Sequence, residues 1–398
     1  MRAGFLRFLA LFLLLSACRP HPSSPSADPS VVRLSPMVER IRQLKFETPV
    51  RVGHKSTRRI RDYVNGKIRE DYGPSDIEHE RDVLVLLGLL PEKFSYREKI
   101  LTLFSEQIAA YYDPPTDTLF LSDHLSAGSL DDVIVHELTH GLQQQHFGIG
   151  KLMDRKDQDD DRKLALNALV EGEALCVMLE FEFAGKALSE KSREDLLEAA
   201  EAQMRAPKRT DRQLAGIPRF MQEELLFPYV EGLNFIAALR KSGGWERVDE
   251  AYRRLPASTE QILHPKRYLE STDQPVEVPS TIVGEGGEIR KVLTDNVMGE
   301  FGSRLILETH LLRTEALLSS EGWGGDRYWL VERRDGKKAL VWATVWDKGP
   351  DAERFERSLI RVRFPRHAIV IREGQQVLLT LGLEETTARA LMVRFHSN

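Results

Sequence analysis

Apolar residues recur at helical spacing over Arg58–Arg69 and Ile77–Leu90, and Pro91 stops the second run. Arg97–Ala109 continues in helical style. The pattern changes at Ile108–Tyr112 and Thr118–Ser122, two short β-prone runs around Asp113-Pro114-Pro115-Thr116-Asp117, which predict a hairpin. Helical spacing then dominates to about Arg254. From Ser271 to Gly287 the chain becomes Pro- and Gly-containing, with Gly284, Gly286 and Gly287 close together, and this marks a boundary. Beyond it the pattern predicts a helix over roughly Asn296–Ser319 and strands at Tyr328–Glu332 and Ala339–Trp346. A helix near Asp351–Arg361, a strand pair within His367–Leu381 and a last helix from Glu384 follow. The expected fold class is α+β: a mainly helical domain with a short β-hairpin or edge strand (residues 36–270), a linker (271–290) and a small α+β domain (291–398).

The N-terminus departs from this pattern. Arg2 and Arg7 precede an uncharged apolar run, Phe8–Ala17, too short to span a bilayer but suited to a secretory signal. The run ends in Leu15-Ser16-Ala17-Cys18, which resembles the lipobox of bacterial lipoproteins. That resemblance implies cleavage after residue 17, lipidation of Cys18 and a lipid-anchored place in a bacterial cell envelope. Arg19–Ser35 carries Pro20, Pro22, Pro25 and Pro29 among serines and reads as a tether.

Composition narrows the function. Of 398 residues, 41% are hydrophobic and 29% charged, as in a globular chain with its own core. A net charge of −5 lacks the basic footprint of a nucleic-acid binder. Two cysteines cannot build a disulfide framework, and Cys176 reads as a small buried side chain in a helix. The glycines of Gly322-Trp323-Gly324-Gly325-Asp326 stand at a strand entry, which predicts a turn or bulge and not a phosphate loop.

The chemistry concentrates at His136-Glu137-Leu138-Thr139-His140. An apolar helical run, Val133-Ile134-Val135, leads into it. Ser129 and Asp132 have capping-box spacing, with Asp in place of Glu or Gln. On a helix, residues four apart share a face, so both imidazoles can reach one zinc, and Glu137 projects beside it as a base. A catalytic zinc needs a third protein ligand, and two residues compete. His146 has the spacing of the metzincin motif, but Gln143 stands where that motif has the glycine that breaks the helix. On an unbroken helix His146 lies about 15 Å further along the axis than His136.

The other candidate lies in Leu169-Val170-Glu171-Gly172-Glu173-Ala174. HExxH followed by this Glu-Gly-x-Ala stretch resembles the gluzincin clan of zinc metallopeptidases over about residues 100–180. The resemblance implies a zincin-like domain whose zinc is held by His136, His140 and Glu171, with Glu137 as general base and a peptide or protein as substrate. It also implies that Thr118–Ser122 binds extended substrate by backbone pairing. An oxyanion donor would come from Tyr229 or His264, with Arg267 and Tyr268 as further candidates for substrate contact. Thermolysin-like members carry an acid four residues after the zinc Glu; here that residue is Leu175, so the histidines need another supporting partner. The competing reading is a non-catalytic envelope lipoprotein that uses the scaffold for binding or assembly.

Overall fold

A computed structural model describes residues 28–71, 73, 75–100, 110–122, 130–182, 216–270 and 273–397. Cys18, the signal segment and Ser129 lie outside the described residues, as does most of Arg97–Ala109.

The helical part is built on two long helices, α6 (Asp160–Glu182) and α7 (Arg219–Arg253). From Asp160 to Val177 almost every residue of α6 is buried, so it is a central helix with neighbours on all sides. Helix α7 packs along it, Pro228 lies within α7, and Gly243-Gly244 break it near its end. Glycine makes the crossing close. A Cβ on Gly172 would meet the backbone carbon of Gly232 at 2.2 Å, and one on Gly232 would meet the Ala168 oxygen at 2.1 Å. Helix α4 (Leu130–Phe147) packs against α6, and α5 (Ile149–Met153) follows it.

The segment assigned to the tether ends in structure. Helix α1 spans Pro29–Arg42, capped by the Asp28 side chain on the Ser30 N–H, with Pro29 at its first turn. Val31, Leu34, Val38 and Arg42 are its buried stripe, set against α4 and α6. Strand β1 (Arg51–Lys55) was not visible in the hydrophobic pattern. Helices α2 (Thr57–Asp71) and α3 (Asp76–Leu86) match the two helical runs.

The expected hairpin forms from β2 (Ala110–Asp113) and β3 (Thr118–Ser122), in antiparallel register Tyr112↔Leu119. β1 adds to β3 in parallel, so the sheet order is β1-β3-β2. β3 is therefore the central strand. Both of its backbone edges are used, which overturns the expectation that Thr118–Ser122 pairs with substrate.

After the short helices α8 (Thr259–Leu263) and α9 (Pro265–Leu269), the C-terminal part is a five-stranded antiparallel sheet of order β4-β5-β6-β8-β7. Its strands are β4 (Ile289–Asn296), β5 (Trp323–Arg333), β6 (Lys338–Trp346), β7 (Ala368–Glu373) and β8 (Gln376–Leu381). Its helices are α10 (Gly299–Leu307), α11 (Arg313–Ser320), α12 (Gly349–Leu359) and α13 (Glu385–His396). The single helix expected over Asn296–Ser319 is thus the end of β4 followed by two helices. Tyr328, Leu330, Leu340, Trp342 and Leu379 face a core continuous with the helical part. Trp329, Val331, Val341 and Leu378 face a second core under α13. The linker belongs to that second core, through buried Val278, Ile282 and Val283. Val276 donates to the Gly324 carbonyl at 2.6 Å, and a Cβ on Gly325 would strike Val276. The bulge expected in this glycine run is present between Trp323 and Gly325.

Candidate metal centre

His136, Glu137 and His140 lie on α4, which stays helical to Phe147, and Glu171 lies on α6. One ligand atom from each of His136, His140 and Glu171 falls within 4.8 Å of the others. The two imidazoles meet edge to face at 4.7 Å between ring centres. His136 Nε2 is 3.4 Å from a Glu171 carboxylate oxygen. His140 and Glu171 are fully buried, and His136 is 9% exposed.

The charges explain what such a cluster accepts. Burial pulls His136 down to about 4 and His140 well below its ordinary value, so both rings are neutral, the form in which an imidazole can ligate a cation. Burial first, and then the nearby Glu137 carboxylate, push Glu171 well above the usual carboxylate range. Both Glu171 oxygens are buried without a regular hydrogen bond. A buried carboxylate in that state needs a proton or a cation. Two neutral imidazoles and a carboxylate are the protein donor set of a catalytic zinc, so the residues fit the metal.

A supporting partner for the histidines is present in Gln143, which the sequence had offered only as a departure from a glycine motif. Its Oε1 lies 2.6 Å from His140 Nδ1, and its Nε2 donates to the Val170 carbonyl at 2.9 Å. The second bond fixes the amide's orientation, so Nδ1–H donates to Oε1 and Nε2 is the basic nitrogen. Gln143 also ties α4 to the residue before Glu171. Gln143→Leu is expected to weaken zinc binding about 10–100-fold without unfolding the chain, read by competition with a chromophoric chelator. Unchanged affinity would mean that the amide does not orient the ring.

Glu137 is buried and sits close enough to Glu171 for their charges to interact. Burial raises it to about 8, while the backbone N–H of Tyr112, donating from β2, pulls it down. β2 is thus a strand whose backbone reaches Glu137.

Tyr229 reaches the cluster as well. It lies one turn before Gly232, on the side of α7 that meets α6, and its hydroxyl faces Glu171 without regular hydrogen-bond geometry. Burial and the charges of Glu171 and Glu137 push its phenol well above the ordinary value, so it stays protonated as a donor.

The other sequence candidates go elsewhere. His146 Nε2 lies 2.7 Å from the Lys45 carbonyl, away from the cluster on an unbroken helix. His264 caps the α8–α9 corner, and its Nε2 meets Glu300 of α10 at 2.9 Å. Arg267 fills the centre of a cluster of Glu260, Asp273 and Asp347, at 3.1, 2.6 and 2.7 Å. Tyr268 is buried and donates to the Arg254 carbonyl at 2.7 Å. His264 and Arg267 thus serve the junction between the helical part and the sheet, and Tyr268 packs against the end of α7.

The His264–Glu300 pair gives this junction a pH dependence. Its hydrogen bond to Glu300 raises His264, so the pair stabilises the fold below about 6.5, the unfolded value, and the gain is lost as pH rises through the higher folded value. Burial holds Glu300 above its ordinary range, so the gain also fades in acid once Glu300 is protonated. The thermal midpoint of wild type should exceed that of His264→Gln most in weak acid, and the gap should close in alkali. A gap that is constant with pH would rule the pair out as its source.

Among known proteins, a domain of unknown function, DUF8575, matches residues 290–391, which cover most of the C-terminal sheet and its helices. No curated protein and no solved structure matches the chain.

Proposed function

We propose that the chain is a zinc-dependent peptidase whose metal is held by His136, His140 and Glu171. The observation that carries this reading is the buried Glu171 carboxylate, its oxygens without a regular hydrogen bond, set against two neutral histidines of a helical HExxH. Zinc bound there supplies a Lewis acid and an acidified water. The chain's own groups do the rest. Glu137, steadied by the Tyr112 N–H and ionised where a bound cation offsets its burial, takes up a proton from the attacking water and returns it to the leaving amine. Tyr229, protonated and facing the cluster, donates to the developing oxyanion. Gln143 holds His140 in the ligating tautomer.

The anchored, envelope location belongs to the same proposal and rests on the sequence ending at Cys18. The near-complete burial of His136 and Glu137 is the observation that favours a second reading, a lipoprotein in which the scaffold binds and does not cut.

The test is metal analysis of the purified chain with a digest of a mixed peptide library, with and without a zinc chelator. The expected results are about one zinc per chain and chelator-sensitive cleavage, with most metal lost in His140→Ala and Glu171→Ala. His146→Ala should keep its metal. A zinc-loaded, folded chain that leaves the library intact supports the binding scaffold. Full zinc affinity in Glu171→Ala refutes the ligand set.

A further inference from the structure

Strand β7 has the sequence of a strand buried on both faces and the position of an edge. Ala368-Ile369-Val370-Ile371 is an unbroken apolar run, the mark of a strand covered on both sides. Ala368 and Val370 pack on one core of the sheet and Ile371 on the other. Yet β7 ends the strand order, and its residues from Ala368 to Arg372 are only half-buried, whereas Val377–Leu381 of its neighbour β8 are buried. Among the described residues no strand pairs with its outer side.

Exposed edges are normally guarded by bulges, charges or proline. The opposite edge, β4, is guarded: its register shifts twice, and it carries Arg290, Lys291 and Asp295. β7 pairs with β8 in unbroken register and has no charge before Arg372.

The register says which backbone groups are available. The Gly382 N–H donates to the His367 carbonyl, so residues 367, 369, 371 and 373 turn their backbone toward β8. Ala368, Val370 and Arg372 turn theirs outward. We propose that this edge pairs antiparallel with β7 of a second copy of the chain, with Val370 on the two-fold axis. The outward residues then match themselves: Val370 faces Val370 of the copy, and Ala368 faces Arg372. Ile369 stacks on Ile371 of the copy, and His367 stands opposite Glu373. Arg366, exposed and without an ion pair among the described residues, lies next to that acid. No other register with matching backbone directions aligns the strand over its whole length and places unlike groups at both ends. Both α12 and α13 pack against β7, and exposed apolar residues lie at the end of the first, Ile360, and on the second, Val393, 62% and 61% accessible.

The experiment is sedimentation of the full chain in detergent over a dilution series. Wild type should show a concentration-dependent mass twice that of one chain. Val370→Lys puts two ammonium groups face to face and should raise the dissociation constant at least about tenfold. Val370→Pro removes an outward N–H and no bond to β8, so it should stay folded and lose the dimer. In a Cys18→Ser background, Val370→Cys should oxidise to a linked dimer and Arg372→Cys should not, since residue 372 faces 368 of the copy. A wild-type chain that stays monomeric at every concentration, or folded Val370→Lys and Val370→Pro chains that dimerise as wild type does, overturns the proposal.

Discussion

Glu137→Gln is expected to keep its zinc and lose peptide hydrolysis by about 10⁴-fold, the upper end of what general-base catalysis supplies. The two halves of that result have separate causes. The metal should stay because the cluster consists of His136, His140 and Glu171, and a Gln side chain can still accept the Tyr112 N–H that holds position 137. Activity should go because an amide cannot take the proton of the attacking water, nor hand one to the departing amine. Tyr229→Phe removes a donor and not the base, so its loss should be smaller, about 10²–10³-fold, again with metal unchanged. The measurement is initial rate on the best-cleaved library peptide beside zinc content of the same preparation. Activity of Glu137→Gln within tenfold of wild type would remove Glu137 from the base's role.

The second large effect is on stability. Arg42, at the end of α1, is fully buried. Its Nε bonds Glu173, another of its nitrogens bonds Asp249, and its guanidinium lies 4.6 Å over the Trp245 ring. Tyr252 gives Glu173 its other bond, at 2.6 Å. Arg42→Ala leaves a buried carboxylate without its cation, two residues from Glu171, and should cost about 3–5 kcal/mol. Urea unfolding of Arg42→Ala, Glu173→Leu and the double variant would measure it. The double variant should recover part of the loss, because the cost lies in the stranded charge. A loss below about 1 kcal/mol would show that water reaches Glu173 once Arg42 is gone. A chain cut before residue 28 should fold. One cut after residue 52 lacks α1, Arg42 and part of β1, and should not.

The HExxH helix and the hairpin before it were legible because their signals are local: HExxH after an apolar run, and two β-prone runs around Pro114-Pro115. The sheet strands were legible because Trp, Val and Leu crowd them. What escaped depends on partners far along the chain. Helix α1 hides in a Pro/Ser-rich stretch, although Asp28-Pro29 is a sound helix start. β4 is a charged, twice-shifted strand without clean alternation. Gln143 gains its meaning from a carbonyl 27 residues away, and His264 is drawn off the cluster by an acid 36 residues on. Tyr229 was legible as a residue type after Glu171, but its arrival at the cluster depends on the glycine crossing.

That crossing restricts how this chain can vary in evolution. At Gly172 and Gly232 an added Cβ meets main chain, not a side chain, so no substitution elsewhere makes room for it. The two positions are therefore inherited as a pair or lost as a pair. A relative that keeps HExxH and its downstream Glu but carries a larger residue at the counterpart of Gly232 must hold the two helices further apart. Its tyrosine would then fall short of the carboxylate, and its donor would have to come from another part of the chain. Two glycines 60 positions apart thus form a more discriminating fingerprint of this particular site than the five-residue motif, which any helix with two surface histidines can imitate.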